Sequence, residues 1–73
     1  SVLVEGSVIV RDLNKQMSWN LPEDGAKTMN GLIINQLDEI PRSNICLFIS
    51  EYKIETLKIE NNLIRQIKVS KEI

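Results

Sequence analysis

The sequence predicts an α+β domain in which two helices pack on one face of a mainly antiparallel sheet, in the order β-α-α-β-β-β. Two observations support this fold class. Residues 28–41 carry apolar side chains at the spacing of one helical face, and the last third of the chain contains apolar stretches separated by short polar turns. Strands joined by such turns pair antiparallel, so the helices that precede them are expected to cover one face of the sheet.

The first two elements are short. Val2–Val4 is apolar and partly β-branched, which predicts a strand, and Gly6 after it is expected in a turn at positive φ. Val10, Leu13 and Met17 follow at i, i+3 and i+7, which predicts a helix of about two turns.

Residues 18–27 are predicted to be a loop, because Pro22 and Gly25 interrupt any regular pattern there. Trp19 and Leu21 are large apolar residues within this polar stretch. We expect them to fold back over the edge of the core, since a small domain needs its few large side chains for burial. The alternative is a ligand platform or a partner contact.

The segment from Thr28 to Pro41 gives the strongest helix signal in the chain. Thr28 can cap its start through the hydroxyl, and Pro41 is expected to end it, because proline lacks an N–H and disfavours helical geometry in the residue before it. Gly31 within this helix costs about 1 kcal/mol relative to alanine. That cost suggests that another backbone approaches closely; the alternative is a neutral glycine. The predicted apolar face consists of Met29, Leu32, Ile33, Leu37 and Ile40.

Three strands are predicted after this helix. Residues 45–49 form a continuous apolar run of strand length, in which Cys46 is expected to be a small buried residue. Residues 52–59 alternate with a slip in phase, which predicts a β-bulge near Glu55-Thr56.

Two short turns, at residues 50–51 and 60–62, connect these strands. The second contains two asparagines, which tolerate left-handed geometry. The last strand is expected over residues 63–69, and residues 70–73 are expected to be a frayed tail. Its inward-facing residues are predicted to be Leu63, Ile67 and Val69.

Length and composition limit the function. The 73 residues predict a single domain, residues 1–73, with a small core. Nine basic and ten acidic residues give a net charge of -1, which argues against a nucleic-acid module. The single cysteine cannot form an intramolecular disulfide, so a reducing compartment is expected. The sequence has no signal peptide and no apolar run of membrane-spanning length, and its start at Ser1 suggests a soluble piece excised from a larger protein.

The side chains offer few candidates for catalysis or metal binding, and we predict no catalytic, cofactor-binding or metal-binding residues. The chain has no histidine, and one cysteine without histidine gives neither a zinc site nor a thiol dyad. The pairs Glu23-Asp24 and Asp38-Glu39 could touch a hard cation such as magnesium or lie on a solvated surface. Four basic residues of the hairpins could face an acidic partner, but interleaved acidic residues favour a solvated sheet face. They are Lys53, Lys58, Arg65 and Lys68.

Five short motifs follow one another along most of the chain. They are Val-Glu-Gly-Ser-Val (4–8), Arg-Asp-Leu-Asn (11–14), Leu-Pro (21–22), Thr-Met-Asn-Gly-Leu-Ile (28–33) and Ile-Pro (40–41). Their order and spacing resemble the transporter-associated domain of the CorC/HlyC type. The positions that match the family pattern, interpreted as structural, are Gly6, Asp12, Leu13, Asn14, Thr28, Gly31, Leu32 and Pro41. Two positions depart from it: Ile9 stands where the family often has Ser or Thr, and Asn44 where it often has Gly.

This resemblance implies a cellular setting. Similar domains lie at the C-terminus of bacterial membrane proteins, on the cytoplasmic side, after a transmembrane region and a pair of CBS domains, or at the end of some antiporters. They are associated with transport of ions such as magnesium and cobalt, and some relatives are named haemolysins. Their fold is similar to part of FAD-binding-type domains, although no flavin site is implied.

The resemblance therefore implies a non-catalytic regulatory or interaction module of a cation transporter. Its partners would be the CBS pair and the transmembrane region of the parent chain, or a second copy in a homodimer, and it would need no cofactor. The alternative is a sensor of a small, nucleotide-like ligand. An enzyme is disfavoured because catalytic groups are missing from the sequence.

Overall fold

Four antiparallel strands form one sheet, and two helices pack on one of its faces, in the computed structural model of residues 1–72. This confirms the predicted α+β class and element order; the similarity to FAD-binding-type domains stays a prediction. The strand order in the sheet is β1-β4-β3-β2, so β1 and β2 are the edges. The elements are β1 (Val2–Glu5), α1 (Val10–Met17), α2 (Met29–Leu37), β2 (Cys46–Ile49), β3 (Tyr52–Glu60) and β4 (Leu63–Lys71).

The core lies between the helices and the face of the sheet that they cover, which we call the inner face. Both helices and strands β2, β3 and β4 contribute buried residues to it, because each strand directs alternate residues inward. Burying one such side chain contributes about 1.5–3 kcal/mol. The buried hydrophobic residues are Val10, Leu13, Leu21, Met29, Leu32, Ile33, Ile49, Tyr52, Ile54, Ile64, Ile67 and Val69.

Several local predictions are confirmed. Helix α1 covers residues 10–17, as the apolar spacing indicated, and Ile9 provides no side-chain cap. Leu21 is buried and Trp19 packs against the core, with its ring centroid 5.4 Å from that of Tyr52. The core-edge interpretation of the 18–27 loop is therefore correct. The first hairpin turn lies at residues 50–51 as predicted, and the second lies at 61–62, one residue shorter than predicted because Glu60 pairs with Leu63.

The predicted end of the second helix is wrong. Helix α2 ends at Leu37, because Asp38 adopts a left-handed conformation at φ 62° and its N–H donates to the Ile34 carbonyl at 2.7 Å. Aspartate tolerates this geometry better than most residues. As a result Ile40 is outside the helix and 42% exposed, and Pro41 is buried in the following connection.

Two expectations about glycine are also corrected. Gly6 is not at positive φ, whereas Gly25 is, at 84°. A Cβ on Gly31 would meet the Thr28 hydroxyl oxygen at 3.4 Å and the Ala26 Cβ at 3.5 Å, both in side chains. No backbone of another element approaches Gly31 closely; the glycine with such a neighbour is Gly6.

Two predictions for side-chain burial in the strands are wrong, those for Cys46 of β2 and Leu63 of β4, whereas Ile67 and Val69 are buried as predicted. Cys46 is exposed, because the sheet is covered on one face only and the alternate residues Leu47 and Ile49 take the inner positions. Leu63 is 42% exposed, and Ile64 is buried in its place. The β3–β4 pairing is irregular at Leu57 of β3 and at the residue after Ile64 in β4, which shifts the alternation of inward and outward side chains. The bulge therefore lies one residue later than the predicted Glu55-Thr56.

The predicted tail is also shorter. Strand β4 continues to Lys71, since Ser70 and Lys71 pair with the start of β3 and the Glu72 N–H donates to the Glu51 carbonyl. Ile73, the remaining residue of that prediction, lies outside the described residues.

Candidate functional site

The residues that match the family motifs form three structural junctions, and the first lies at Gly6. The Gly6 N–H donates to the Arg65 carbonyl at 2.9 Å, and its carbonyl accepts the Asn30 N–H at 2.8 Å. The Asn30 side-chain oxygen in turn accepts the Ile64 N–H at 3.0 Å. A Cβ at position 6 would lie 1.8 Å from the Ile64 carbonyl oxygen, so only glycine fits between β1, α2 and β4.

The start of α2 belongs to the same junction. The Thr28 hydroxyl accepts the Gly31 N–H at 3.1 Å, which confirms the predicted cap. Leu32, one residue later, is buried in the core. The motif over residues 28–33 therefore places the helix start against the sheet. Asn30 was not among the predicted residues; an amide side chain in the first turn of a helix, close to a glycine, was the signal available for it.

The second junction lies at Asn14 on α1, a buried polar residue. Its amide nitrogen donates to the Leu21 carbonyl and to a carboxylate oxygen of Glu23, both at 2.9 Å, and its oxygen accepts the Leu21 N–H at 2.8 Å. Its neighbours in the motif differ: Leu13 is buried in the core and Asp12 is exposed. Asn14 thus fastens the 18–27 loop to α1 and explains why a polar residue is buried here.

Pro41 forms the third junction. It is buried in the connection between α2 and β2, beside the exposed Ile40. A shallow groove runs along this connection. Its lining includes Leu37, Ile40, Pro41 and Ile45.

A polar cleft of about 410 Å³ opens beside the Gly6 junction. It contains two cations, Lys58 and Arg65, whose nitrogens lie 3.8 and 3.7 Å from carboxylate oxygens of Glu60. These pairs are exposed, so each contributes at most about 1 kcal/mol. The cleft has the size of a small-molecule site. It also brings together two predicted motif residues, Gly6 and Thr28.

The opposite face of the sheet, which no helix covers, exposes apolar side chains to solvent. We call it the outer sheet face, and it comprises Leu3, Cys46, Phe48, Lys53, Glu55, Leu57, Lys68 and Ser70. Leu3 is 70% and Phe48 62% exposed, and both lie on edge strands of the sheet. The sequence gives no signal for this face, because residues 2–4 and 45–49 are continuous apolar runs and only the fold decides which of their side chains are covered.

The ionisable groups form no evident metal centre. Within residues 1–72, no three His, Cys, Asp or Glu side chains come close enough together to hold an ion. Among the candidate pairs, Glu23 is engaged by Asn14. In the same part of the chain, no helix has the length and apolarity of a membrane span.

Comparisons with known proteins agree with this geometry. The family model CorC_HlyC, described as a transporter associated domain, matches residues 1–72. The inner membrane protein YfjD of Escherichia coli (strain K12) is 45% identical over 69 residues, which are 94% of this chain and 16% of that protein. The chain thus spans about one sixth of the length of this curated relative.

Solved structures of similar domains have the same fold. A conserved protein of unknown function from Haemophilus influenzae Rd KW20 has a TM-score of 0.87 at 40% identity, covering 94% of this chain and 85% of that one. A CorC_HlyC domain from a Xylella fastidiosa Temecula1 hemolysin, solved in complex with Mg++ and Mn++, has a TM-score of 0.81 at 16% identity, covering 94% of this chain and 84% of that one. The second likeness concerns the fold alone. With the family model matching almost every residue, this chain belongs to the CorC_HlyC transporter-associated domain family.

Proposed function

We propose that this domain is a non-catalytic regulatory module at the cytoplasmic end of a bacterial membrane ion transporter of the magnesium and cobalt efflux type. One observation carries the proposal: this chain, which matches a family described as transporter associated, is 45% identical to a segment of an inner membrane protein. The outer sheet face supports a contact role, because it presents Leu3 and Phe48 to solvent.

In this proposal the domain acts through contacts with the rest of its parent chain, a pair of CBS domains and the transmembrane region. A tethered domain meets its partner at a high effective concentration, so a weak contact suffices. The domain then shifts the transporter between conformations only if it binds one of them better than the other.

The test is an ion-flux measurement on the full-length parent. Removing residues 1–73 should change the rate of magnesium or cobalt flux in vesicles, at equal expression. Surface variants on the helix side, such as Lys15→Glu on α1, should leave the rate unchanged, since Lys15 is exposed away from the outer sheet face. Equal ion flux from the intact and the truncated parent would contradict a modulatory role for the domain.

The proposal also predicts where the transported ion does not bind. Titration calorimetry of the 73-residue chain with magnesium or cobalt chloride is expected to reveal no stoichiometric site tighter than about 10 µM. The reason is that the carboxylates of the described residues do not converge. A tighter site would argue for ion sensing by the domain itself.

The polar cleft favours a second candidate, a sensor of a small nucleotide-like ligand. Its volume suits such a molecule. Arg65 and Lys58 now pair with the Glu60 carboxylate, and an anionic group of the ligand would replace that carboxylate as their partner. A thermal-shift screen with nucleotides tests this, because a ligand that binds only the folded state raises its stability. Arg65→Gln should abolish a genuine shift, and Arg11→Gln, on the exposed side of α1, should preserve it.

A further inference from the structure

We propose that Asn30 is a site of spontaneous deamidation that the folded domain blocks and that becomes reactive when the start of α2 detaches from the sheet. Copies of the domain that unfold are then modified at this position, and the isoaspartate product does not rebuild the native junction. The inference concerns the fate of unfolded copies, so it is independent of any role in transport.

The sequence places one asparagine before a glycine. Of the seven asparagines in the chain, only Asn30 has this neighbour. An asparagine deamidates when the backbone nitrogen of the next residue loses its proton and attacks the side-chain carbonyl carbon. Glycine favours this reaction, because it has no Cβ to shield the nitrogen and its backbone reaches the required geometry freely. Asn30 is therefore the most reactive asparagine of the unfolded chain.

The reaction needs no partner other than water. The Gly31 nitrogen forms a bond with the Cγ of Asn30, and the side-chain nitrogen leaves as ammonia, which produces a five-membered succinimide. Water then opens the ring at either of its two carbonyl carbons. One opening leaves aspartate at position 30. The other, which predominates, leaves isoaspartate, whose main chain runs through the former side chain. No group is oxidised or reduced.

In the folded domain the attacking nitrogen is held by the helix cap. The Gly31 N–H donates to the Thr28 hydroxyl oxygen at 3.1 Å, so this hydrogen bond fixes both its proton and its direction. Residues 29–37 are helical, and closing the ring requires Asn30 to rotate about its Cα–C bond out of helical geometry. The native helix start is therefore not a reactive conformation.

Asn30 itself is fastened to the sheet. Its side-chain oxygen accepts the Ile64 N–H at 3.0 Å, and its own N–H donates to the Gly6 carbonyl at 2.8 Å. A donor at a carbonyl oxygen makes the carbonyl carbon more reactive, so the protection depends on the capped nitrogen and the helical backbone. The flanking Met29 and Leu32 are 0% and 2% exposed, so the start of α2 detaches only when the core opens.

The two products differ in their effect on the junction. Aspartate at position 30 keeps the main chain, and its carboxylate can still accept the Ile64 N–H, in the first turn of a helix where negative charge is favourable. Isoaspartate adds one methylene to the main chain before Gly31. The hydrogen bonds of residue 30 to Gly6 and of Gly31 to Thr28 then fall out of register. Unfolding followed by this modification is therefore irreversible.

The isolated chain is a suitable sample for the test. A relative that the alignment covers to 85% of its length, at 40% identity, has been crystallised, so a domain of about this size folds separately. Incubation at mildly alkaline pH, with and without denaturing urea, is followed by peptide mapping with mass spectrometry. The native chain should deamidate at Asn30 at least about a hundredfold more slowly than the unfolded chain, because only the opened fraction reacts.

Two substitutions separate the chemistry from the protection. Gly31→Ala adds a Cβ beside the attacking nitrogen and should slow deamidation of the unfolded chain at least about tenfold. Asp24→Asn creates a second Asn-Gly pair, in the exposed part of the 18–27 loop. In the native chain the new asparagine should react at least about tenfold faster than Asn30. Equal rates at positions 24 and 30 in the native state would overturn the proposal.

The cap is tested against a variant that loses a different hydrogen bond. Thr28→Ala removes the acceptor of the Gly31 N–H, and Tyr52→Phe removes an acceptor elsewhere in the fold. After correction for the opened fraction measured in urea melts, Thr28→Ala should deamidate at least about threefold faster than Tyr52→Phe in the native state. Thr28→Ser, which keeps the hydroxyl, should react as the parent does. Equal corrected rates for Thr28→Ala and Tyr52→Phe would contradict protection by the cap.

Refolding tests the consequence of the modification. Chains that acquire isoaspartate in urea should not regain the native circular dichroism melt when the urea is removed. Asn30→Asp, which carries the charge without the longer main chain, should fold with a transition close to that of the parent. Recovery of the native melt by the isoaspartate chains would overturn the proposal, as would native-state deamidation of Asn30 at the rate seen in urea.

Discussion

Replacing Gly6 with alanine is the most informative single perturbation of this fold. The new Cβ would lie 1.8 Å from the Ile64 carbonyl oxygen and 2.9 Å from its carbonyl carbon, both backbone atoms of β4. A carbon–oxygen contact normally requires about 3.3 Å. Either β4 or the turn at Gly6 must therefore move by about 1.5 Å, and the one whose movement costs less free energy will do so.

The cost can be worked out from the contacts that this movement disturbs. Overpacking typically costs about 1–3 kcal/mol. The shift also breaks the alignment of the Gly6 N–H with the Arg65 carbonyl and of the Asn30 N–H with the Gly6 carbonyl. Each lost hydrogen bond costs about 0.5–1.5 kcal/mol. We expect Gly6→Ala to lower the free energy of unfolding by about 2–6 kcal/mol, a large share of the roughly 4–11 kcal/mol typical of a chain this long.

The matched control is the same substitution at Gly31. There the Cβ would make ordinary contacts at 3.4 and 3.5 Å with side chains. Alanine is the better helix former by about 1 kcal/mol, so Gly31→Ala should stabilise the domain by up to that amount. The two glycine-to-alanine changes therefore differ in sign.

Urea melts and thermal melts, both followed by circular dichroism, measure the two variants. A loss of 2 kcal/mol corresponds to a decrease in Tm of about 8–16 °C for a domain of this size. If Gly6→Ala unfolds within about 2 °C of the parent, the close approach between β1 and β4 does not constrain the fold. If Gly31→Ala is the less stable of the two, the comparison of the two sites is wrong.

Three further variants test the other junctions by the same urea melts. Asn14→Ala should cost about 2–3 kcal/mol, because it leaves two buried backbone groups of the loop unpaired. The control Asn35→Ala loses one exposed hydrogen bond and should cost under about 1 kcal/mol. Equal costs would contradict the role of Asn14. Thr28→Ala should cost about 1 kcal/mol through loss of the helix cap. Thr28→Ser keeps the capping hydroxyl and should retain most of this stabilisation. Tyr52→Phe removes the hydroxyl that accepts the Asn20 N–H at 2.7 Å, and a loss of about 1 kcal/mol is expected; an unchanged midpoint would mean that water replaces the hydroxyl.

The charged residues of the outer sheet face illustrate how the tertiary structure adds to the sequence. Glu55 and Lys68 are thirteen residues apart and could be recognised only as members of alternating strands. Their adjacency depends on the register of the β3–β4 hairpin, which brings them beside Leu3 of β1 and Cys46 of β2. The sequence interpretation of a solvated, mixed-charge face was compatible with these residues but contained no information on their order across the sheet.

What the sequence by itself determined was local. The bounds of α1 follow from its apolar spacing, the cap of α2 from Thr28, and the second hairpin turn from Asn61 and Asn62, which adopt positive φ at 54° and 63°. Each depends on residues within one or two turns of chain, so the pattern of side chains is sufficient to predict it. The order of the predicted helices and strands was sufficient for the fold class as well.

What only the tertiary structure decided depends on residues distant in the chain. The covered face of the sheet determines that Cys46 is exposed and Ile64 is buried, because a strand pattern cannot indicate which of its two faces meets the helices. The identity of the constrained glycine is decided in the same way. Gly6 is irreplaceable because β4 passes beside it nearly sixty residues later, and Gly31 is not, because its neighbours Ala26 and Thr28 are side chains that leave room.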